Sequence, residues 1–229
     1  MRVVQASIVA IVVAGLVPAV PGAQGQEADR VVAGGGIKVP GWTGKVDPAA
    51  AKKGLTVADS KFVEEGGALH LTIGPAATYW NPANTASGNY TVKATFKEPK
   101  PSGNHPHPYG VFIGGNKLDS DDQSYLYCVA YSDGTFLVRG FSGTTPVTVS
   151  KRQPHAAVNK AGADGVTNEV AWTVKGDRAE CVINGTAVAG FDKSEIVGAG
   201  KLESTDGIVG LRVSHNVDVV VSGFGVTKG

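Results

Sequence analysis

Two dipeptides constrain this chain more than any other feature. Asp133-Gly134 separates Tyr125–Ser132 from Thr135–Phe141, and Asn184-Gly185 separates Arg178–Ile183 from Thr186–Phe191. Asp-Gly or Asn-Gly between two β-rich runs reads as a hairpin with a two-residue type I′ loop, because that turn needs φ > 0 at both central residues. For the first hairpin this predicts that Tyr131 faces Phe136, Val129 faces Val138 and Cys128 faces Arg139. Side chains alternate along a strand. One face then carries Tyr125, Tyr127, Val129, Tyr131, Phe136 and Val138, and the other Leu126, Cys128, Ala130, Leu137, Arg139 and Phe141. Both are apolar or aromatic. One must be core, and the other is either covered by loops or open as a ligand platform.

Further β-rich runs cover Lys61–Val63, Ala68–Ile73, Tyr90–Phe96, Tyr109–Gly114, Glu169–Val174, Ile208–Ser214 and Val217–Val226. Glu169–Val174 precedes the second hairpin across Lys175-Gly176-Asp177, which makes a three-stranded meander. Glycine, at 32 of 229 residues, is about twice average usage and fits strands joined by tight turns. One short helix is expected over 47–54, with Asp47 as N-cap, Pro48 at the first helical position and Gly54 ending it. Residues 97–108, with four prolines, and residues 142–168 are expected to be long loops. The sequence therefore predicts an all-β fold, an antiparallel two-sheet β-sandwich with one or two short helices. It divides as residues 1–25, a lead with the short helix over 26–54, and a single sandwich domain over 55–229.

The amino terminus sets the compartment. Met1-Arg2 is followed by an apolar run from Val3 to Val20 and then by Pro18, Pro21 and the small-residue stretch Ala23-Gln24-Gly25. That order is the pattern of a cleaved export signal, cut before Gln26, with no membrane span left afterwards. The expected location is secreted, either periplasmic or extracellular. Lys and Arg total 21 against 20 Asp and Glu, and Arg2 is the only charge in residues 1–25, so the remainder is balanced. A balanced chain with no basic stripe excludes nucleic acid as an expected partner. The two cysteines, Cys128 and Cys181, either form a disulfide in an oxidising compartment or stay as buried thiols, and sequence leaves both open.

Several segments then fall into one arrangement. Gly88-Asn89-Tyr90-Thr91-Val92 leads to Tyr109-Gly110-Val111-Phe112-Ile113, to the Tyr-rich hairpin, to Cys181-Val182-Ile183-Asn184-Gly185 and to Asp206-Gly207-Ile208-Val209-Gly210-Leu211-Arg212-Val213. This order resembles the concanavalin-A-like jelly roll, particularly laminin-G-like modules and the bacterial 3-keto-disaccharide hydrolase-like family, over roughly residues 55–227. The resemblance implies a jelly-roll sandwich that works on or beside glycans. The hydrolase-like family tends to carry acidic residues in the strand after its Gly-Ile-Phe segment, and Ser124–Ala130 has none.

The chemistry-bearing residues point the same way. Glycoside hydrolysis needs two carboxylates flanking the scissile bond, and no strand here supplies such a pair. Tyr79, Trp80 and Asn81, between strands, together with Tyr109, Tyr125 and Tyr127, offer flat rings beside amides, which suits the apolar CH faces and hydroxyls of a sugar. Arg139 adds a fork of donors. His105 and His107 alternate with Pro106 and Pro108; their imidazoles point the same way only if the segment is extended. Asp119, Asp121 and Asp122 form an oxygen-rich loop of the type calcium takes, and Ca2+ is the candidate ion, with no other cofactor expected. The leading expectation is a carbohydrate-binding module without a catalytic constellation. The alternatives are a keto-sugar hydrolase, metal-assisted through the histidine and aspartate loops, and a structural or protein-interaction domain.

Overall fold

The computed structural model describes residues 27–229. The export segment expected over 1–25, with its cut before Gln26, lies outside them. In chain order the elements are β1 (Gly36–Ile37), β2 (Thr43–Val46), α1 (Pro48–Ala51), β3 (Lys61–Glu65), β4 (Ala68–Thr72), β5 (Ala77–Ala86), β6 (Tyr90–Glu98) and β7 (Tyr109–Asn116). They continue as β8 (Ser124–Ala130), β9 (Thr135–Ser142), β10 (Thr145–Pro154), β11 (Val166–Lys175), β12 (Arg178–Ile183), β13 (Thr186–Asp192), α2 (Lys193–Ile196), β14 (Gly207–Val213) and β15 (Asp218–Lys228).

The strands form an eight-stranded sheet, ordered β1-β3-β4-β15-β6-β11-β12-β13, and a seven-stranded sheet, ordered β10-β9-β8-β7-β14-β5-β2. Every pairing is antiparallel except β1 with β3. The sheets close over a shared core that includes Phe62, Leu71, Tyr79, Phe96, Val111 and Trp172. The all-β sandwich with two short α-helices is as expected. The lead before residue 55 is more than a tail, since β1 and β2 each supply an edge strand.

Two strands depart from the expectation. β5 absorbs the segment Tyr79–Pro82 that was expected to lie between strands. β5 pairs with β2 only as far as Trp80, and its register with β14 jumps from Trp80 to Thr85. Pro82 falls in that gap, where its missing N–H costs no ladder bond. β10 occupies part of the expected 142–168 loop as the outer strand beside β9, with register shifts at Thr148/Ser150 and Ser150/Gln153. Prolines at both ends and interrupted pairing hid its pattern.

The first hairpin is the main correction. The ladder pairs Ala130 with Phe136, Cys128 with Val138 and Tyr127 with Arg139, one residue off the expected register. The loop holds three residues. Gly134 N–H donates to Tyr131 O at 3.2 Å, Tyr131 N–H donates to Thr135 O at 2.9 Å, and Gly134 alone takes the left-handed conformation at φ 87°. Asp133 keeps a negative φ, because its carboxylate accepts bonds from Thr135 N–H (3.1 Å) and Thr135 Oγ1 (2.6 Å). That is a type I turn closed by a glycine bulge. A one-residue slip transfers every side chain of one strand to the opposite face. Phe136 and Val138 therefore join Leu126, Cys128 and Ala130 in the inter-sheet core, while Leu137, Arg139 and Phe141 join the tyrosines outside it. At Asn184-Gly185 both residues do take positive φ, 49° and 78°, and Ile183 faces Thr186 as expected.

The cysteines are joined. Cys128 on β8 and Cys181 on β12 form a disulfide across the core, with Cα atoms 5.8 Å apart, joining the seven-stranded sheet to the next-to-edge strand of the eight-stranded one. The bridge closes a sequence separation of 53 residues. In the chain-entropy account a loop of that length stabilises by about 4 kcal/mol. Denaturant titration of a Cys128→Ala/Cys181→Ala variant is expected to show a loss of about 2–5 kcal/mol with the fold retained.

Glu98 closes β6 as a buried carboxylate with Oε2 unpaired among the described residues. Burial, helped by the charge of Asp218, raises its pKa to about 7. The folded state then holds a proton that the unfolded chain has released, so stability falls as pH rises from about 4.5 to about 7. Glu98→Gln is expected to flatten that slope and to melt above wild type on the alkaline side of the window, as followed by thermal unfolding across pH.

Candidate functional site

The outer face of the seven-stranded sheet carries a second apolar cluster of Trp80, Phe112, Leu118, Tyr125, Tyr127, Val129, Tyr131, Leu137 and Phe141. It is buried on both sides, unlike the usual solvated outer face of an antiparallel sheet. Gly210 sits close beneath that layer, where a Cβ would meet the Tyr79 carbonyl oxygen at 2.3 Å. A Cβ there would stand 2.6 Å from the Phe112 ring, so glycine is what lets Phe112 lie across β14. Leu118 seals one end of the layer. At the other end, where β7, β9 and β5 start and β8, β14 and β2 stop, the face opens into a groove of about 340 Å³.

The groove floor is aromatic and cationic, with Tyr127 and Tyr131 beside Arg139, Arg152 and Arg212. The start of α1, with Asp47 and Lys53, lines one wall, and His105–Pro108, Ser214, His215 and Asp29 line the other. Burial raises the pKa of Tyr127 and of Tyr131, so both phenols keep their protons as donors.

The three arginines are committed to different degrees. Arg212, only 8% exposed, grips Asp47 with both terminal nitrogens, Nη2 at 2.6 Å, and its guanidinium stands 5.1 Å over the Tyr127 ring. Asp47 therefore makes no cap bond to α1, and the acid expected to start that helix instead neutralises a buried cation. Burial works against the Arg212 charge, yet Asp47, its two-pronged partner, holds its pKa well above the ordinary value. Arg152 stacks 3.9 Å over the Tyr131 ring and donates to Asp133 Oδ2 at 2.6 Å. Arg139 differs. Its Nε donates to Thr148 Oγ1 at 3.0 Å, and no carboxylate among the described residues forms an ion pair with it.

The histidine wall converges. His105 and His107 ring centroids lie 5.0 Å apart, at a segment that bends over 103–105 instead of running extended, and His107 meets His215 edge-on at 4.2 Å. His107 Nε2–H donates to Glu27 Oε2 at 3.0 Å, and His215 Nδ1 lies 3.0 Å from Asp29 Oδ1. Burial, reinforced by neighbouring His215, lowers the His107 pKa and keeps the imidazole neutral.

Of the residues singled out by sequence, the groove brings together Tyr127, Arg139, His105 and His107. The remaining aromatics are elsewhere. Tyr79 and Tyr109 have no accessible surface; Tyr79 packs on Phe62 and Tyr109 stacks on Phe96 at 5.1 Å, both inside the sandwich. Tyr125 is on the outer face but lies under Phe141, its hydroxyl taken by Thr78 at 3.0 Å. Trp80 belongs to the sealed part of that face, and Asn81 projects to a separate depression beside Trp42 and Phe224. These five residues are removed from the site because a strand, not a loop, carries Tyr79–Asn81 and because the core needs the large rings.

Asp119, Asp121 and Asp122 do not gather their oxygens. Asp121 pairs with Lys45 at 3.3 Å, and among the described residues the group of ligand atoms that converges is Glu27, His105 and His107. Lys53, Arg152, Arg212, His215 and Asp29 were not read as site residues. Arg212 carried a usable signal, since a charge inside the apolar run Gly-Ile-Val-Gly-Leu-Arg-Val has to find a partner.

No family model matches the chain, and no curated protein does. Solved structures do match. A carbohydrate-binding module (CBM66) from Bacillus subtilis superposes with a TM-score of 0.57 at 8% identity, over 82% of this chain and 96% of that one. An endo-β-1,3-glucanase from Pyrococcus furiosus gives 0.54 at 14%, over 86% and 92%. An alginate lyase of polysaccharide lyase family 7 gives 0.50 at 17%, over 82% and 94%. The fold is the concanavalin-A-like jelly roll.

Removing Asp47 would strand the Arg212 charge. Asp47→Ala is expected to cost about 3–5 kcal/mol in denaturant titration, since breaking one partner of a buried pair leaves the other uncompensated. A loss below about 1 kcal/mol, the range of exposed pairs, would show that the groove floor does not depend on it.

Proposed function

We propose that the chain is an exported carbohydrate-binding protein whose groove takes an acidic sugar. Arg139 carries this reading, as a guanidinium on the groove floor that forms no ion pair with a carboxylate among the described residues, next to the rings of Tyr127 and Tyr131. A planar donor fork suits a carboxylate or sulfate, and the rings suit the CH face of the same sugar. Four cationic side chains, Lys53, Arg139, Arg152 and Arg212, line the groove against two acids, Asp29 and Asp47, so its field favours an anion. Jelly rolls of this shape include a carbohydrate-binding module, a glucanase and an alginate lyase, which supports a sugar ligand by analogy of fold. The same two acids, tied up as they are, weigh against a hydrolase with a free carboxylate pair.

Export is supported by residues 1–25 and by the Cys128–Cys181 bridge, which persists in an oxidising compartment. Among the described residues no helix is long and apolar enough to cross a membrane.

The test is an array of neutral and acidic oligosaccharides followed by titration of any hit. Acidic sugars are expected to bind. Arg139→Ala is expected to weaken them by about 10- to 100-fold, the worth of a hydrogen bond to a charged group. Equal binding of neutral sugars, or no effect of Arg139→Ala, would overturn the reading.

A further inference from the structure

We infer that the histidine wall of the groove is a binding site for a divalent transition metal ion, held by Glu27, His105 and His107. It stands apart from the sugar reading, since the ligands are on the wall and Arg139 is on the floor. The ligand atoms of the three side chains all lie within 4.8 Å of one another. Three of the five histidines in the sequence, His105, His107 and His215, meet at this one place.

The backbone preorganises the set. Pro106 and Pro108 each force the residue before them, His105 and His107, away from helical conformations. The backbone bends over residues 103–105, and the two imidazoles come together with ring centroids 5.0 Å apart. His107 is buried, and its Nε2 lies 3.0 Å from Glu27 Oε2, so an ion bound between them would take the place of that hydrogen bond. Glu27 and His105 are exposed side chains, free to close the last ångström to the roughly 2.0–2.2 Å of a metal bond. His215, fixed by Asp29, packs edge-on against the buried ligand and limits its ring orientation.

The donor set selects the ion. Two imidazoles and one carboxylate favour zinc or copper over calcium, which takes six to eight oxygens. Three protein ligands leave a fourth tetrahedral position for water or for an atom of a groove ligand, as in zinc sites that are not purely structural. His70 offers a built-in comparison. It lies between Glu65 and Asp218, one carboxylate on each ring nitrogen, on the other sheet, and that arrangement serves an ion pair instead of a metal.

The experiment is titration of ZnCl2 into chelator-treated, untagged protein by calorimetry, with Co2+ absorption as a second readout. One equivalent is expected to bind, and Co2+ is expected to show the intense visible bands of four-coordinate geometry. Glu27→Gln and His105→Ala, both at exposed positions, are expected to weaken binding by more than the roughly 10- to 100-fold that outer-shell partners cost. His70→Ala should leave it unchanged. No binding by the folded protein, or binding that survives His105→Ala combined with Glu27→Gln, would overturn the assignment. Because no sugar is present, this outcome is independent of the array result.

Discussion

The left-handed conformation of Gly134 decides what the groove is made of. With Asp133 held at negative φ by its own bonds to Thr135, only the glycine takes positive φ, and the turn gains one residue. That residue moves β9 by one step against β8. Phe136 and Val138 go inward to pack beneath the disulfide strand, and Arg139 goes outward, next to Tyr127. The core, the groove floor and the placement of the unpaired guanidinium thus follow from one backbone dihedral. Any side chain at position 134 would pay for that conformation.

The outer face of the seven-stranded sheet handles charge in an unusual way for a layer so apolar. Arg212 is brought into it by strand alternation, between Leu211 and Val213, which both face the core. The fold responds by recruiting Asp47 from the start of α1, across the sheet, and by laying the guanidinium over Tyr127. Arg152 makes the equivalent arrangement with Tyr131 and Asp133. Each guanidinium covers one face of its ring and gives Tyr127 and Tyr131 fixed positions on the floor. The groove is therefore preorganised, which reduces the ordering cost of binding.

The sequence made much of this legible. Eleven runs of β-rich residues correspond to β3, β4, β6 to β9 and β11 to β15, because alternation and turn residues are local signals. Local signals fail where pairing is decided elsewhere. Pro82 disguises β5, since only the tertiary register reveals that its neighbour strand skips that position. Asp133-Gly134 and Asn184-Gly185 look alike, yet the first is diverted by Thr135, whose hydroxyl captures the aspartate. Tyr79 and Tyr109 were plausible sugar platforms by composition alone; a sandwich of this size simply needs them inside. The histidine wall could be read only in part, because His215 and Glu27 come to His107 from distant parts of the chain.

The strand order also has a consequence for timing. Interior positions of both sheets belong to the last strands described: β14 lies between β7 and β5, and β15 lies between β4 and β6. Neither sheet is continuous until the final two strands arrive. Both joins are long-range pairings, the kind whose loop-closure cost makes folding slow. Until then β5 and β7 on one side, and β4 and β6 on the other, remain separate half-sheets with open edges. The strand that joins the halves of the seven-stranded sheet, β14, is also the one that carries Arg212 into the groove, so the continuity of the sheet and the groove floor depend on the same element.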